Sequence, residues 1–190
     1  RVIGVDLVPE RVGRVRGRGI EVIDLREHED DLVEVIRERT GGRGPDSVID
    51  AVGMEAHGAP VAKTLQAIAG FLPDPVQRWM MEKAGVDRLS ALHAAIELVR
   101  RGGTISIIGV YGGMADPLPM MTLFDKQIQL RMGQANVKRW VPEIMPLLMD
   151  GDPLGTDGFA SHHLPLDSAP EAYEKFQRKE DGYVKVLLRP

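Results

Sequence analysis

One carboxylate near the start of the chain, Asp6, stands where an acid could bind the ribose of a nucleotide. It ends the apolar run of residues 2–5 (Val-Ile-Gly-Val), and Pro9 opens a helix-forming segment just after it. An acid at the carboxyl end of a parallel strand can accept hydrogen bonds from both ribose hydroxyls. Its charge would repel the additional phosphate of NADP, so the pattern favours NAD. The other interpretation of Asp6 is a solvated acid that begins a loop.

Two basic or aromatic-ring residues accompany this pattern. Arg11 lies five residues after Asp6 at the start of the helix-forming segment, where it could contact an adenine ring or a phosphate. An exposed helical arginine without a ligand explains the same position. His57 lies just beyond a strand-like run that ends at Gly53, and it could touch adenine.

Two further strand-like runs end in small residues. One ends in Asp-Ala-Val-Gly at 50–53, and the other in Ile-Gly-Val-Tyr-Gly-Gly at 108–113. Small residues at a strand end allow a ring or a ribose to approach closely, and exposed backbone groups there can hold a carboxamide. A turn with conformationally permissive glycines explains both runs without any ligand.

Gln134 and Asn136 follow the last core strand and precede a helical segment. Asn136 is suited to the N-cap of that helix, because its side chain can bond the first backbone amides. The functional interpretation places both side chains near the reactive end of a bound cofactor. The adjacent pair His162-His163 resembles a metal site, but neighbours on a strand point to opposite faces, which argues against joint coordination.

Composition narrows the class of protein. The 190 residues carry a net charge of -4, with 43% hydrophobic and 27% charged residues and no cysteine. The charge gives no reason to expect a nucleic acid or an anionic membrane as partner. No apolar run approaches the ~20 residues of a membrane span. Without cysteine, the chain has neither disulfides nor thiolate zinc ligands. The default expectation is a soluble, cytoplasmic α/β protein.

Short apolar runs alternate with amphipathic segments, which is the pattern of βαβ units and a parallel sheet. Strands are predicted at 2–6, 21–25, 47–53, 104–110, 127–133, 159–163 and 183–188. Helices are predicted at 9–15, 29–39, 89–101, 137–149 and 170–178. The run at 47–53 is continuously apolar, which predicts a strand covered on both faces. Residues 54–88 are too long for a βα loop. They are predicted to be an insertion with short helices at 61–71 and 76–84.

In this order and spacing, these segments resemble the C-terminal, NAD-binding part of a zinc-dependent medium-chain alcohol dehydrogenase, most closely the glutathione-independent formaldehyde dehydrogenase branch. Four stretches carry the resemblance: 2–6 with Pro9-Glu10-Arg11, 50–58 with the insertion after it, 109–113, and 133–137 with the segment 164–173 beyond it. The resemblance covers nearly the whole chain.

The resemblance implies NAD-dependent oxidation of a small alcohol or reduction of an aldehyde, with zinc polarising the substrate oxygen. Cofactor-binding roles then follow by position. Asp6 and Arg11 would hold the adenosine, while Val52 and His57 would line the adenine side. Ile108, Val110 and Gln134 would face the nicotinamide, with Asn136 beside them.

The resemblance also implies what precedes this sequence in the family: the zinc ligands, the glycine-rich phosphate loop and the first Rossmann strand. The fold class expected is therefore α/β, an incomplete Rossmann-type parallel sheet at 1–150, with a helical insertion at 54–88 and a segment at 151–190 that returns to a catalytic domain. No catalytic or metal-binding residue is assigned in this chain. By itself it is expected to be inactive and to bind NAD weakly or not at all.

Loss of a central first strand would leave the strands that end at Asp6 and Asp50 with unpaired backbone groups. We expect these strands to close on each other, to pair with a second copy, or to remain as an opened sheet, so a homo-oligomer is expected. Three other interpretations stay open at this point. They are a non-catalytic nucleotide-binding or assembly module, a Rossmann-type methyltransferase, and a zinc-independent quinone reductase, which commonly prefers NADP.

Overall fold

A computed structural model describes residues 1–53, 89–111 and 118–190. The predicted insertion at 54–88, with its two helices and His57, lies outside the described residues, as do Gly112 and Gly113. Strands and helices alternate along the described chain. They are β1 (Ile3–Asp6), α1 (Pro9–Gly17), β2 (Glu21–Asp24), α2 (Leu32–Arg39), β3 (Ser47–Asp50), α3 (Ser90–Leu98), β4 (Thr104–Ile107), α4 (Met120–Asp125), β5 (Gln129–Met132), α5 (Val137–Met149), β6 (His162–Pro165), α6 (Ala169–Arg178) and β7 (Val186–Arg189).

The predicted strands and helices outside 54–88 occur in the predicted order, and α5 has the predicted bounds. α4 (Met120–Asp125) is an additional helix that was not predicted. The strand predicted at 159–163 is displaced toward the C-terminus, because β6 begins only at His162. The hydroxyl of Ser161 accepts hydrogen bonds from the amides of Val184 and Lys185 and donates to the carbonyl of Lys185. This side chain thus adds to the backbone hydrogen bonds that the amides of Ser161 and His162 donate to the carbonyl of Lys185 at the start of the β6–β7 pair.

In the part of the chain that the structure describes, all strand pairs are parallel, and they form three sheets. β1 pairs with β2 in a register that sets Asp6 beside Asp24. β3, β4 and β5 form a three-stranded sheet, and β6 pairs with β7. Among the described strands, β1 is bonded to β2 alone and β3 to β4 alone. Each of these two strands therefore keeps one edge without a partner among the described strands.

The chain divides into two compact units, residues 1–30 with 136–190, and residues 31–135. In the first unit, Val12 of α1 is 2% exposed and packs with the β1–β2 pair, in which Ile23 is also 2% exposed. No residue of α5 is buried, and two prolines lie inside it. In the described residues, no helix combines the length and apolar character that a bilayer crossing requires. A division at residue 150 stays a prediction about the whole protein.

The core of the second unit lies on one face of its sheet. Ile105 and Ile107 of β4 pack with Leu92 and Ile96 of α3 and with Leu123 of α4. The prediction that β3 is covered on both faces is wrong, because Ile49 is 67% exposed while Asp50 is buried. Side chains alternate between faces along a strand, and here the helices cover only one of them.

Candidate functional site

Asp6 ends β1 with one carboxylate oxygen held and the other accessible. Its Oδ1 accepts a hydrogen bond of 2.9 Å from the amide of Val8, which fixes the turn into α1. Its Oδ2 lies 3.9 Å from Nη1 of Arg11, one helical turn further on, and the side chain stays 29% exposed. The structure thus brings the two predicted adenosine-binding residues together, with an accessible acceptor between the strand and the helix.

Asp24, at the matching end of β2, differs from Asp6 because it is buried and both of its carboxylate oxygens are hydrogen-bonded. It is only 4% exposed, and both of its oxygens are bonded by Arg26: Oδ1 accepts from the backbone amide at 3.1 Å and from Nε at 2.9 Å, while Oδ2 accepts from Nη2. The side-chain bonds from Arg26 lower the pKa of Asp24 to about 2. Of the two neighbouring acids, only Asp6 keeps an oxygen for a ligand.

The depressed pKa of Asp24 predicts a pH dependence of stability. Because the folded pKa lies below the unfolded value of 3.8, the contribution of the pair is complete above about pH 4. It is lost as the pH falls toward 2. Arg26→Gln should therefore lower the urea midpoint at pH 7, and its midpoint should approach that of the unmodified chain near pH 2. A difference that stays constant between pH 7 and pH 2 would contradict this assignment.

In the second unit, Asp50 ties together the loops at the carboxyl ends of β3 and β4. Its Oδ1 accepts from the amides of Val52 at 3.0 Å and Gly53 at 3.3 Å, and its Oδ2 accepts from the hydroxyl of Tyr111 at 2.5 Å. Its backbone carbonyl accepts from the amides of residues 108 and 109, both at 2.9 Å. Burial and this bond to a carboxylate raise the pKa of Tyr111 well above its usual range. The phenol is therefore held as a hydrogen-bond donor to Asp50.

Sequence reasoning missed both Tyr111 and Asp24 as partners in these carboxylate networks. The available signal for the Tyr111–Asp50 pair was a tyrosine within a glycine-rich strand end. It lies 61 residues after an acid at the end of another strand. Arg26 two residues after Asp24 was the signal for the second.

Gly53 and Gly109 bring the two loops into backbone contact. A Cβ added at Gly109 would lie 2.2 Å from the backbone nitrogen of Gly53. A Cβ added at Gly53 would lie 2.5 Å from the nitrogen of Val110, and Gly53 also has a φ of +64°. Neither position has room for a side chain, because the nearest atoms are backbone atoms.

Three predicted cofactor-binding residues of the second unit present apolar side chains beside this glycine contact. Val52 is 47% exposed, Ile108 is 60% exposed and Val110 is 76% exposed. They lie where β3 and β4 end, at one edge of the sheet. Apolar side chains around closely packed glycines form a surface on which a planar ring can lie.

Gln134 and Asn136 follow β5, and both are exposed. Gln134 lies two residues after the end of β5, the parallel neighbour of β4. Asn136 occupies the predicted N-cap position of α5, but its side chain makes no capping hydrogen bond. Its side chain is thus available for another role. Asp6, Arg11 and Asn136 belong to the first unit, and Val52, Ile108, Val110 and Gln134 to the second.

The histidine pair at the start of β6 has partners within the protein. His162 stacks on Tyr183, with ring centroids 3.7 Å apart, and its Nδ1 lies 3.0 Å from the hydroxyl of Ser161. His163 is exposed, and its Nδ1 lies 3.5 Å from the guanidinium of Arg189. Over residues 1–53, 89–111 and 118–190, no three histidine or acidic side chains form a group that could hold a metal ion.

The sequence of this chain is similar to those of zinc-type alcohol dehydrogenases. The chain is 35% identical, over its whole length, to the zinc-type alcohol dehydrogenase-like protein AdhB of Bacillus subtilis, and it spans 46% of that protein. It is 28% identical to the formaldehyde dismutase of Pseudomonas putida over 93% of its own length and 42% of the dismutase. The chain spans less than half the length of the curated relatives it matches. No protein-family model matches it.

The fold agrees with these sequence relationships. The alcohol dehydrogenase TADH from Thermus sp. ATN1 superimposes with a TM-score of 0.71 at 30% identity, over the whole of this chain and 44% of that structure. The small parallel sheets therefore correspond to part of a Rossmann-type fold, and the predicted fold class is confirmed.

Proposed function

This chain is homologous to part of the zinc-type alcohol dehydrogenases, and from that premise we propose that its cofactor is NAD and that the whole protein interconverts a small alcohol and its aldehyde. The chain supplies the cofactor-binding region of such an enzyme. Bound NAD supplies the acceptor for the electrons removed from the alcohol carbon. The sequence identity of 28% with a formaldehyde dismutase supports placement of the chain in the formaldehyde dehydrogenase-like branch.

The observation that carries the proposal is the carboxylate of Asp6. One of its oxygens is fixed by the amide of Val8, so the group is oriented, and the other is accessible beside Arg11. An oriented acceptor at the end of a parallel strand fits the two hydroxyls of an adenosine ribose. Arg11 would then contact the adenine or the adjoining phosphate. A ribose that carries a phosphate would meet the negative charge of Asp6.

The remaining cofactor roles are proposed on exposure and position. Val52 would line the adenine side, as would His57. Ile108, Val110 and Gln134 would face the nicotinamide, with Asn136 nearby. The apolar surface around Gly53 and Gly109 suits a ring.

The relatives are named zinc-type enzymes. The described residues of this chain do not fit a zinc ion, because they contain no group of three metal-ligating side chains. We therefore assign no step of the reaction to a metal here. The alcohol or aldehyde substrate would be bound by parts of the whole protein beyond the residues described. We also propose that the whole protein is cytoplasmic.

A homo-oligomer is proposed on two features. β1 and β3 each keep one edge without a partner among the described strands. α5 leaves large apolar residues partly exposed, Trp140 and Ile144 among them. Both features leave groups that a second copy could pair or cover.

The test of cofactor choice is a chimaera in which the remaining part of Bacillus subtilis AdhB precedes this chain. We expect alcohol-dependent NADH formation, and a preference for NAD over NADP that falls about tenfold in Asp6→Asn, because a charged acceptor and a repulsive charge are both removed. Asp30→Asn removes an exposed acid of the same unit and should leave the preference unchanged. Equal use of NAD and NADP by the unmodified chimaera would contradict the role of Asp6.

A further inference from the structure

A cavity of about 870 Å³ opens in the second unit, at a place that no cofactor role uses. It is lined by the ends of three helices and the loops between them. Arg100 and Arg101 line it directly before β4 begins, and the amide of Arg100 donates to the carbonyl of Pro45, which precedes β3. The cavity is therefore at the amino end of the sheet, whereas Asp50 and Gly109 are at the carboxyl end.

The lining of this cavity is strongly basic. Five of its side chains are cations: Arg37, Arg43, Arg100, Arg101 and Lys126. Glu97 is the one acid in the lining, and His93 lies there too.

Three of these cations are already paired. Asp46 bonds Arg100 at 2.6 Å and Arg43 at 3.1 Å, and the two guanidinium groups lower its pKa. Asp125 bonds Arg101. These ion pairs involve three of the five cations, and Arg37 and Lys126 are the other two.

Arg37 and Lys126 make no ion pair with any described residue. Lys126 donates to the carbonyls of Ile96 at 2.7 Å and Glu97 at 3.0 Å, at the carboxyl end of α3. An ammonium group has three donors, so one remains. Burial first, and then repulsion from the charge of Arg37, lower the pKa of Lys126, while the charge of Glu97 opposes this. An anion between them would relieve this repulsion.

Apart from Gly42 and Thr122, the rest of the wall is apolar. Ile96, Leu98, Val99, Leu118 and Pro119 line the cavity together with the cations. A hydrated inorganic ion would make no use of such a wall, whereas an organic group beside the anion would contact it. Cavities that join apolar walls to a few oriented polar groups are typical of small-molecule sites.

We propose that this cavity binds a small organic phosphate monoester, with the phosphate between Arg37 and Lys126 and the organic part on the apolar wall. A phosphate carries nearly two negative charges at neutral pH, which match the two unpaired cations. The site is separate from the proposed NAD site, because it lies at the opposite end of the strands.

Calorimetric titration of the 190-residue chain with glycerol 3-phosphate tests the proposal. We expect saturable binding, weakened at least fivefold by Arg37→Gln and largely restored by Arg37→Lys. Arg131→Gln removes an exposed arginine of the same unit outside the cavity, and it should change nothing. Arg37 is exposed, so its replacement leaves the core intact.

Three further titrations test which part of the ester is recognised and whether NAD competes with it. Inorganic phosphate should bind more weakly than the ester, and glycerol should not bind. NAD should not displace the ester. Absence of saturable binding below about 10 mM, equal weakening by Arg131→Gln, equal affinity for inorganic phosphate, or displacement by NAD would each overturn the proposal.

Discussion

Gly109→Ala is expected to lower the free energy of unfolding by about 3 kcal/mol, because the new methyl group meets backbone that cannot move aside. The added Cβ would lie 2.2 Å from the nitrogen and 2.6 Å from the Cα of Gly53. The two loops would have to separate, and the hydrogen bonds that the amides of residues 52 and 53 donate to Asp50 would lengthen with them. Urea denaturation followed by circular dichroism measures the loss.

Gly13→Ala is the matched control for this substitution. Gly13 lies inside α1, and nothing lies within 4 Å of a Cβ built there. Alanine should raise the free energy of unfolding by roughly 0.5–1 kcal/mol, since it has the higher helix propensity. If Gly109→Ala were as stable as Gly13→Ala, the close approach of the two loops would be incorrect.

Asp50→Ala is expected to cost about 3 kcal/mol, for a different reason. The side chain is 4% exposed and accepts bonds from two backbone amides and from Tyr111. Removing it leaves three donors without their acceptor, and an unsatisfied buried donor costs about 1–3 kcal/mol. The same urea titration measures the effect, and the tyrosine absorbance should shift as its hydroxyl loses its partner.

Asp50→Asn and Tyr111→Phe separate the parts of this network. Asparagine keeps an oxygen for the amides of Val52 and Gly53, and its NH₂ can donate to the tyrosine oxygen, so we expect about half the loss. Tyr111→Phe removes only one donor and should cost about 1–2 kcal/mol. A double-mutant cycle should show coupling between positions 50 and 111. Additive losses would mean that the bond contributes nothing.

Hydrophobic pattern and glycine positions predicted the order of the described elements except α4, because strand and helix periodicities differ clearly here. They also predicted that Asp6 ends a strand, with Arg11 at the start of the next helix. The hydrophobic pattern and the glycine positions could not predict tertiary contacts. Ile49 belongs to an apolar run, yet it is exposed, because the covering of a face depends on helices distant in sequence. The bond from Tyr111 to Asp50 spans 61 residues and has no local signature.

The edge of β3 that has no partner among the described strands affects how the purified chain would behave in concentrated solution. An exposed edge is a template for intermolecular β-sheet and, in the extreme, for fibril growth. This edge is four residues long, begins after Pro45, which has no amide to donate, and ends at the buried Asp50. Proline and a charged residue act as gatekeepers at the ends of such a segment. Association through β3 should thus stop at small assemblies and not proceed to amyloid.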